Sequence, residues 1–192
     1  GKAIEYYTKA SNMGSALASR NLGDLYYFDM PIKESETENI KSAVKFYERA
    51  FYLGDIQIAK KIGFIYLNDK ELANIDKAIE WYEKGLSLGD KSLNFDLAYV
   101  YLNDRFIPSD YEKGLSYLAD GVKSNDPECL YLQARIYESG WYGVEADEKK
   151  YLHYLKKAAS LFQDDALLDL GYYYYQKEKY DEALDCFAIC EL

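Results

Sequence analysis

A five-residue pattern of apolar, small, any, apolar, Tyr returns five times along the chain. It reads Leu22-Gly23-Asp24-Leu25-Tyr26, Ile62-Gly63-Phe64-Ile65-Tyr66, Leu97-Ala98-Tyr99-Val100-Tyr101, Gln133-Ala134-Arg135-Ile136-Tyr137 and Leu170-Gly171-Tyr172-Tyr173-Tyr174. The tyrosines fall 40, 35, 36 and 37 residues apart, the period of a solenoid of helix pairs. A second helical pattern alternates with the first. It opens the chain with Ala3, Ile4, Tyr7 and Ala10, spaced i, i+1, i+4, i+7 on one face. Its first column is Ala3, Ala43, Ala78, Gly114, Tyr151 and Ala183, and four residues on stand the large side chains Tyr7, Tyr47, Tyr82, Leu118, Leu155 and Phe187. Three residues further come the small Ala10, Ala50, Gly85, Gly121 and Ala158, with Cys190 in the last copy. Small columns let backbones approach and large ones fill the space between them.

We call the helix with the Tyr signature A and the other B. The predicted order is one B helix over 1–13, then five A-B pairs over about 15–53, 55–88, 90–124, 127–161 and 164–192. Helices A are predicted over 15–28, 55–68, 90–103, 127–139 and 164–177, and the paired helices B over 41–53, 77–88, 111–124, 148–161 and 181–191. The fold class is all-α, an α-solenoid forming one continuous domain over 1–192. Gly14, Gly54, Gly89 and Asn125 stand where a left-handed residue closes helix B, whereas the fifth copy carries Phe162 there. Asp76, Asp110, Asp147 and Asp181 are expected to cap the B helices. The second copy lacks such an Asp; the acidic connection from Asp29 to Ile40 is expected to be the mobile segment.

Composition narrows the functional classes. A net charge of -10 disfavours nucleic acid or an anionic membrane as partner, because phosphates are repelled over most of the surface. A basic or apolar peptide is tolerated better. No apolar run is long enough to span a membrane and no signal segment is present. The chain opens on Gly1 inside a helical pattern and so reads as a piece of a longer protein, which leaves the missing leader uninformative about compartment. Cys129, Cys186 and Cys190 form no disulfide framework, a usage that leans towards a reducing, cytoplasmic setting.

Tyr137-Glu138-Ser139-Gly140-Trp141-Tyr142-Gly143-Val144-Glu145-Ala146-Asp147 resembles the connection of Sel1-like repeats, where a Tyr is followed by two glycines, a Val and an Asp opening the next helix. Trp81 to Gly89 resembles that family's second helix, and Leu170 to Leu184 is closer to a plain tetratricopeptide unit. The resemblance covers nearly the whole chain, with Ala98 and Ala134 departing from Gly in the small column. It implies a right-handed superhelix of antiparallel helix pairs with helices A lining a concave groove, and a role as scaffold or adaptor that holds a partner segment there.

Helical spacing selects the residues of that wall. Positions three before, one after and four after the small residue of helix A form its outer face: Arg20, Asp24, Tyr27; Lys60, Phe64, Leu67; Phe95, Tyr99, Leu102; Tyr131, Arg135, Glu138; and Leu168, Tyr172, Tyr175. Such an aromatic strip marks contact when it is exposed. The candidate partner-binding residues are therefore Arg20, Tyr27, Lys60, Phe64, Phe95, Tyr99, Tyr131, Arg135, Tyr172 and Tyr175. Packing of the same rings between adjacent A helices is the alternative. Arg20, Lys60 and Arg135 offer a loose anion contact, or are ordinary solvated charges.

No enzyme is legible. His153 lies in a polar, outward column; Cys186 and Cys190 are spaced i, i+4 but sit in packing columns with no second ligand pair, and Cys129 falls in a buried column. No Gly-rich phosphate loop and no nucleophile beside a base appear, and neither a cofactor nor a metal is expected. Two classes remain: a protein-interaction scaffold, and a structural or ligand-sensing regulatory module for an effector domain outside this sequence.

Overall fold

The computed structural model describes residues 2–28, 35–108 and 110–190. Among them lie eleven α-helices and no strand: α1 Lys2–Asn12, α2 Ala16–Phe28, α3 Glu36–Tyr52, α4 Ile58–Asn68, α5 Ile75–Ser87, α6 Leu93–Leu102, α7 Tyr111–Lys123, α8 Pro127–Ser139, α9 Glu148–Ser160, α10 Asp164–Gln176 and α11 Tyr180–Cys190. The odd-numbered helices are the B type and the even-numbered ones the A type. The chain forms two compact units, Gly1–Asp96 and Leu97–Leu192, with α6 contributing to both.

In the first unit the large column of helix B rests on the small column of helix A. A Cβ built on Gly23 would lie 2.3 Å from Cε1 of Tyr47, and one on Gly63 2.2 Å from Cε1 of Tyr82. Both rings are completely enclosed, so neither can move aside. In the second unit Gly171 meets Phe187 in the same way, at 2.5 Å. The two departures from Gly become intelligible at this level. Where helix A carries Ala98 or Ala134, the large column of the paired helix B carries Leu118 or Leu155, and all four are fully buried. Glycine accompanies an aromatic ring and alanine a leucine, so the combined volume of each pair stays nearly constant.

Helix ends repeat as closely. The N–H groups of Ser15, Asp55, Asp90, Asp126 and Gln163 donate to the carbonyls of Ala10, Ala50, Gly85, Gly121 and Ala158. These are the six-to-one bonds of a helix closure through a left-handed residue. That residue is Gly14, Gly54, Gly89, Asn125 and also Phe162, whose φ is 61°. Phe162, the one bulky residue at this place, adopts the closure as well, and the Gln163 N–H satisfies a carbonyl at the helix end.

In three A-to-B connections the signature tyrosine serves twice. Its carbonyl accepts the N–H of the cap residue, 2.7 Å from Asn74 to Tyr66, 3.1 Å from Asp110 to Tyr101 and 2.8 Å from Asp147 to Tyr137. The cap side chains in turn accept the N–H of Lys77, Lys113 and Lys150. Those three lysines lay their ammonium groups over the same tyrosine rings, at 5.1, 4.3 and 4.9 Å from the centroids. Two expected caps are corrected here. Asp76 lies in the first turn of α5 and Asn74 does the capping; Asp181 lies in the first turn of α11, which starts at Tyr180. In the second copy Ser35 accepts the N–H of Glu38, and α3 starts at Glu36 rather than near 41. The expected mobile stretch from Asp29 to Ile40 is therefore helical from Glu36 onwards, and its residues 29–34 lie outside those described.

Introducing Gly63→Ala should lower the stability of the first unit by about 1–3 kcal/mol through overpacking against Tyr82. Adding Tyr82→Leu, which recreates the Ala-Leu pair of the third and fourth copies, should recover part of that loss. Denaturant midpoints of the two single variants and the double variant give the coupling directly. At the exposed, left-handed Phe162, Phe162→Gly should raise stability by about 0.5–1 kcal/mol, read as a higher thermal midpoint.

Candidate partner-binding surfaces

In the first unit, α2 and α4 present Arg20, Asp24 and Tyr27 beside Lys60, Phe64 and Leu67. Every charge here is answered. Arg20 pairs with Asp55; Lys61 reaches Asp24 Oδ1 at 2.6 Å, and Lys60 Nζ lies 3.1 Å from Asp96 Oδ2. The Tyr47 hydroxyl, emerging past Gly23, donates to the same Asp24 oxygen at 2.7 Å. Three cations and three carboxylates thus neutralise one another around a shallow cavity of about 520 Å³. Phe64, 53% exposed, is the one large apolar side chain that stands out on this face of α4, since Leu67 is half-buried. Tyr27 is half-buried; burial and then the charge of Asp69 hold its phenol above the usual range. Phe95, also half-buried, completes the candidates of this unit.

The second unit is different in kind. Arg135 is the single cation among its candidate residues, and it is held by Glu138 at 2.5 Å and by Asp169 at 3.6 Å. Tyr131 donates its hydroxyl to Asp169 Oδ2 at 2.9 Å; burial, then this bond, raise its phenol far above the ordinary value. Arg135 and Tyr131 are thus joined to the following repeat. Tyr99, Tyr172 and Tyr175 remain exposed, the last two 60% and 59%. Leu102, an expected member of the outer face, is buried at 5% because it fills the space left by the missing side chain of Gly114.

Two open cavities flank this strip. One, about 470 Å³, lies between Tyr172, Tyr151 and Tyr137 and is walled by Glu138, Asp147 and Asp169. Burial, then the charges of Glu138 and Asp169, push the Tyr151 phenol up to about 12. The other, about 640 Å³, is lined by Tyr99, Tyr111, Leu132, Trp141 and Tyr142 with Asp104 at its edge. Trp141, Tyr142 and Tyr111 were read from sequence only as loop and helix-start residues. Their signal was two aromatics between Gly140 and Gly143, which is more than a turn requires. The acidic character is regional: residues 97–192 carry 18 acidic against 10 basic side chains, a net −8 of the chain's −10.

The remaining candidates for chemistry stay apart from these cavities. Cys129 and Cys186 are buried, Cys190 donates its thiol to the Cys186 carbonyl, and His153 is exposed with its ring edge-on to Tyr154. Among the described residues no group of three or more His, Cys, Asp or Glu is arranged to hold a metal. No helix among them is long and apolar enough to cross a membrane.

Comparison with known proteins agrees with the repeat geometry. The profile of the Sel1 repeat matches residues 1–15, 16–55, 61–90, 93–119, 120–161 and 164–185. Among solved structures, a Sel1 repeat protein from Oxalobacter formigenes superposes with a TM-score of 0.65 at 24% identity, over 82% of this chain and 63% of its own length. A Sel1 repeat protein from Klebsiella pneumoniae gives 0.58 at 22% identity, over 97% of this chain and 91% of that one. The immunity protein Pa5087 from Pseudomonas aeruginosa gives 0.62 at 19% identity, over 97% and 72%. The chain thus spans less than two thirds of the Oxalobacter protein, and these likenesses establish a shared solenoid fold. Comparison with curated proteins finds no match.

Removing the Tyr131 hydroxyl in Tyr131→Phe should cost about 0.5–1.5 kcal/mol, the value of one partly exposed bond to a carboxylate. Tyr175→Phe, on an exposed ring, should leave the denaturant midpoint unchanged.

Proposed function

This chain belongs to the Sel1 repeat family, and on that premise we propose that it is a non-catalytic scaffold that holds a peptide or protein segment along the outer face of its A helices. Sel1 repeats are generally protein-interaction modules, and the family is generally non-catalytic. The observation that carries the finer reading is the exposure of Phe64, Tyr99 and Tyr172 at the position after the small residue of α4, α6 and α10, with Tyr175 exposed three residues further along α10. Although Tyr99, Tyr172 and Tyr175 each touch one neighbouring ring, of Phe106, Phe187 and Tyr180, all four side chains keep a large area open to a partner. Aromatic side chains supply large contact area at small entropic cost, and rows of them at fixed spacing suit an extended or helical segment.

Charge selects among partners. In the second unit the cavities beside the rings are edged by Asp104, Glu138, Asp147 and Asp169, and Arg135 is already shared between two carboxylates. The segment bound there is basic or neutral. The same field disfavours nucleic acid as the partner, since a phosphate backbone recruits cations and those on these faces are already paired with carboxylates. In the first unit the neutral ladder around Phe64 favours an uncharged apolar contact instead.

The test is capture from the source lysate by the wild-type chain and by a Tyr172→Glu, Tyr175→Glu variant, both verified as folded by circular dichroism. Partners identified by mass spectrometry are then titrated with purified components. A partner whose affinity falls at least tenfold with the variant supports the reading. Equal affinity for both proteins removes the A-helix face from consideration.

A further inference from the structure

The cavity at the start of α7 has the composition of a cation cage. Tyr99 from α6, Tyr111 from α7 and the pair Trp141 and Tyr142 after α8 bring four aromatic rings to one space, which half-buried Leu132 and exposed Asp104 also line. Tyr111 and Tyr142 lie 5.0 Å apart at 53°, and Trp141 and Tyr142 6.2 Å apart at 62°, so the rings present faces at different inclinations rather than one flat stack. Trp141, Tyr99 and Tyr111 are all exposed. None of the residues lining the space is Lys or Arg. The loop is built to hold this arrangement. Tyr142 sits at φ 56°, between Gly140 at 70° and Gly143 at 78°, a conformation an aromatic residue rarely adopts. The N–H of Val144 donates to the Trp141 carbonyl at 3.0 Å and the N–H of Asp147 to that of Tyr137 at 2.8 Å, which fixes the turn that carries both rings.

Resting on the interaction reading above, we propose that this cavity receives an arginine side chain from the bound protein segment. The chemistry is complementary in three ways. Ring faces attract a cation, and a planar, weakly hydrated guanidinium stacks on Trp and Tyr better than an ammonium does. A carboxylate at the rim meets its N–H donors. The surrounding unit supplies a net charge of −8, which draws basic segments towards the site. The fold already uses this contact internally, with Lys77, Lys113 and Lys150 on the rings of Tyr66, Tyr101 and Tyr137.

The experiment is a titration of the isotopically labelled chain with acetyl-arginine methylamide, and with the neutral isostere acetyl-citrulline methylamide, followed by the Trp141 indole N–H and the amides of residues 99–111 and 140–144. Saturable shifts confined to these signals are expected, with citrulline at least fivefold weaker. Trp141→Leu, which keeps an apolar wall but removes its ring face, and Asp104→Asn should each weaken arginine binding at least threefold. Equal binding of the two compounds, absence of shifts at these signals, or shifts centred on the Asp169 cavity would overturn the cage. Partner capture that still depends on Tyr172 and Tyr175 under any of those outcomes leaves the interaction reading standing, so the two fail separately.

Discussion

A ring of helix B lying directly on a residue with little or no side chain in helix A is the contact on which the repeats depend. Tyr47 on Gly23, Tyr82 on Gly63 and Phe187 on Gly171 bring helix backbones together at a distance any larger residue would forbid. Dispersion over a whole ring face, with water excluded, is what close helix packing gains in such a contact. The contact also sets the path of the polar groups. Because the Tyr47 ring crosses Gly23, its hydroxyl emerges at Asp24, where it joins Lys61 of the next repeat. The apolar register therefore determines which polar groups can meet.

Between A helices the same positions carry opposite charges in different copies. Asp24 and Lys61 occupy the places that Arg135 and Asp169 occupy later in the chain, with the signs exchanged. Only the product of the charges matters to the pairing, so either sign holds neighbouring repeats together. At the middle copy the equivalent places hold Tyr99 and Leu132, and both line the aromatic cavity. The interruption of a polar ladder by apolar side chains thus coincides with an open space. Exposed partly paired ions contribute little stability individually, whereas an open aromatic surface carries a standing hydrophobic cost relieved by contact.

Much of this was legible from the residues alone. Helices α7 to α10 begin at the residues expected from spacing, α7 and α9 directly after the expected caps Asp110 and Asp147, because periodicity and an Asp at the N-cap are local properties. The expectation that Cys129 and Cys186 pack in the interior also holds, since the columns they occupy are apolar in other copies. Where capping was misassigned, at Asp76 and Asp181, neighbouring polar residues competed for one role and spacing could not arbitrate. The strip of candidate contacts was legible as a set of positions. Its division into exposed rings, half-buried Tyr131 and buried Leu102 was not, because Tyr131 answers to Asp169 and Leu102 to Gly114, each on a different helix.

By itself the sequence determined the all-α class, the repeat length, the order of helices and the face each would turn inward, since these follow from side-chain size and polarity at a fixed helical period. Tertiary structure decided which charges cancel and which rings stay open. Arg20, Lys60 and Arg135 look alike as isolated cations along the chain, yet each is neutralised by a carboxylate from the following repeat or its approach. Trp141 and Tyr142 look like loop residues until Tyr99 and Tyr111 arrive beside them. Coulomb attraction and ring contact act over a few ångströms of space, and no local pattern encodes which residues those ångströms will bring together.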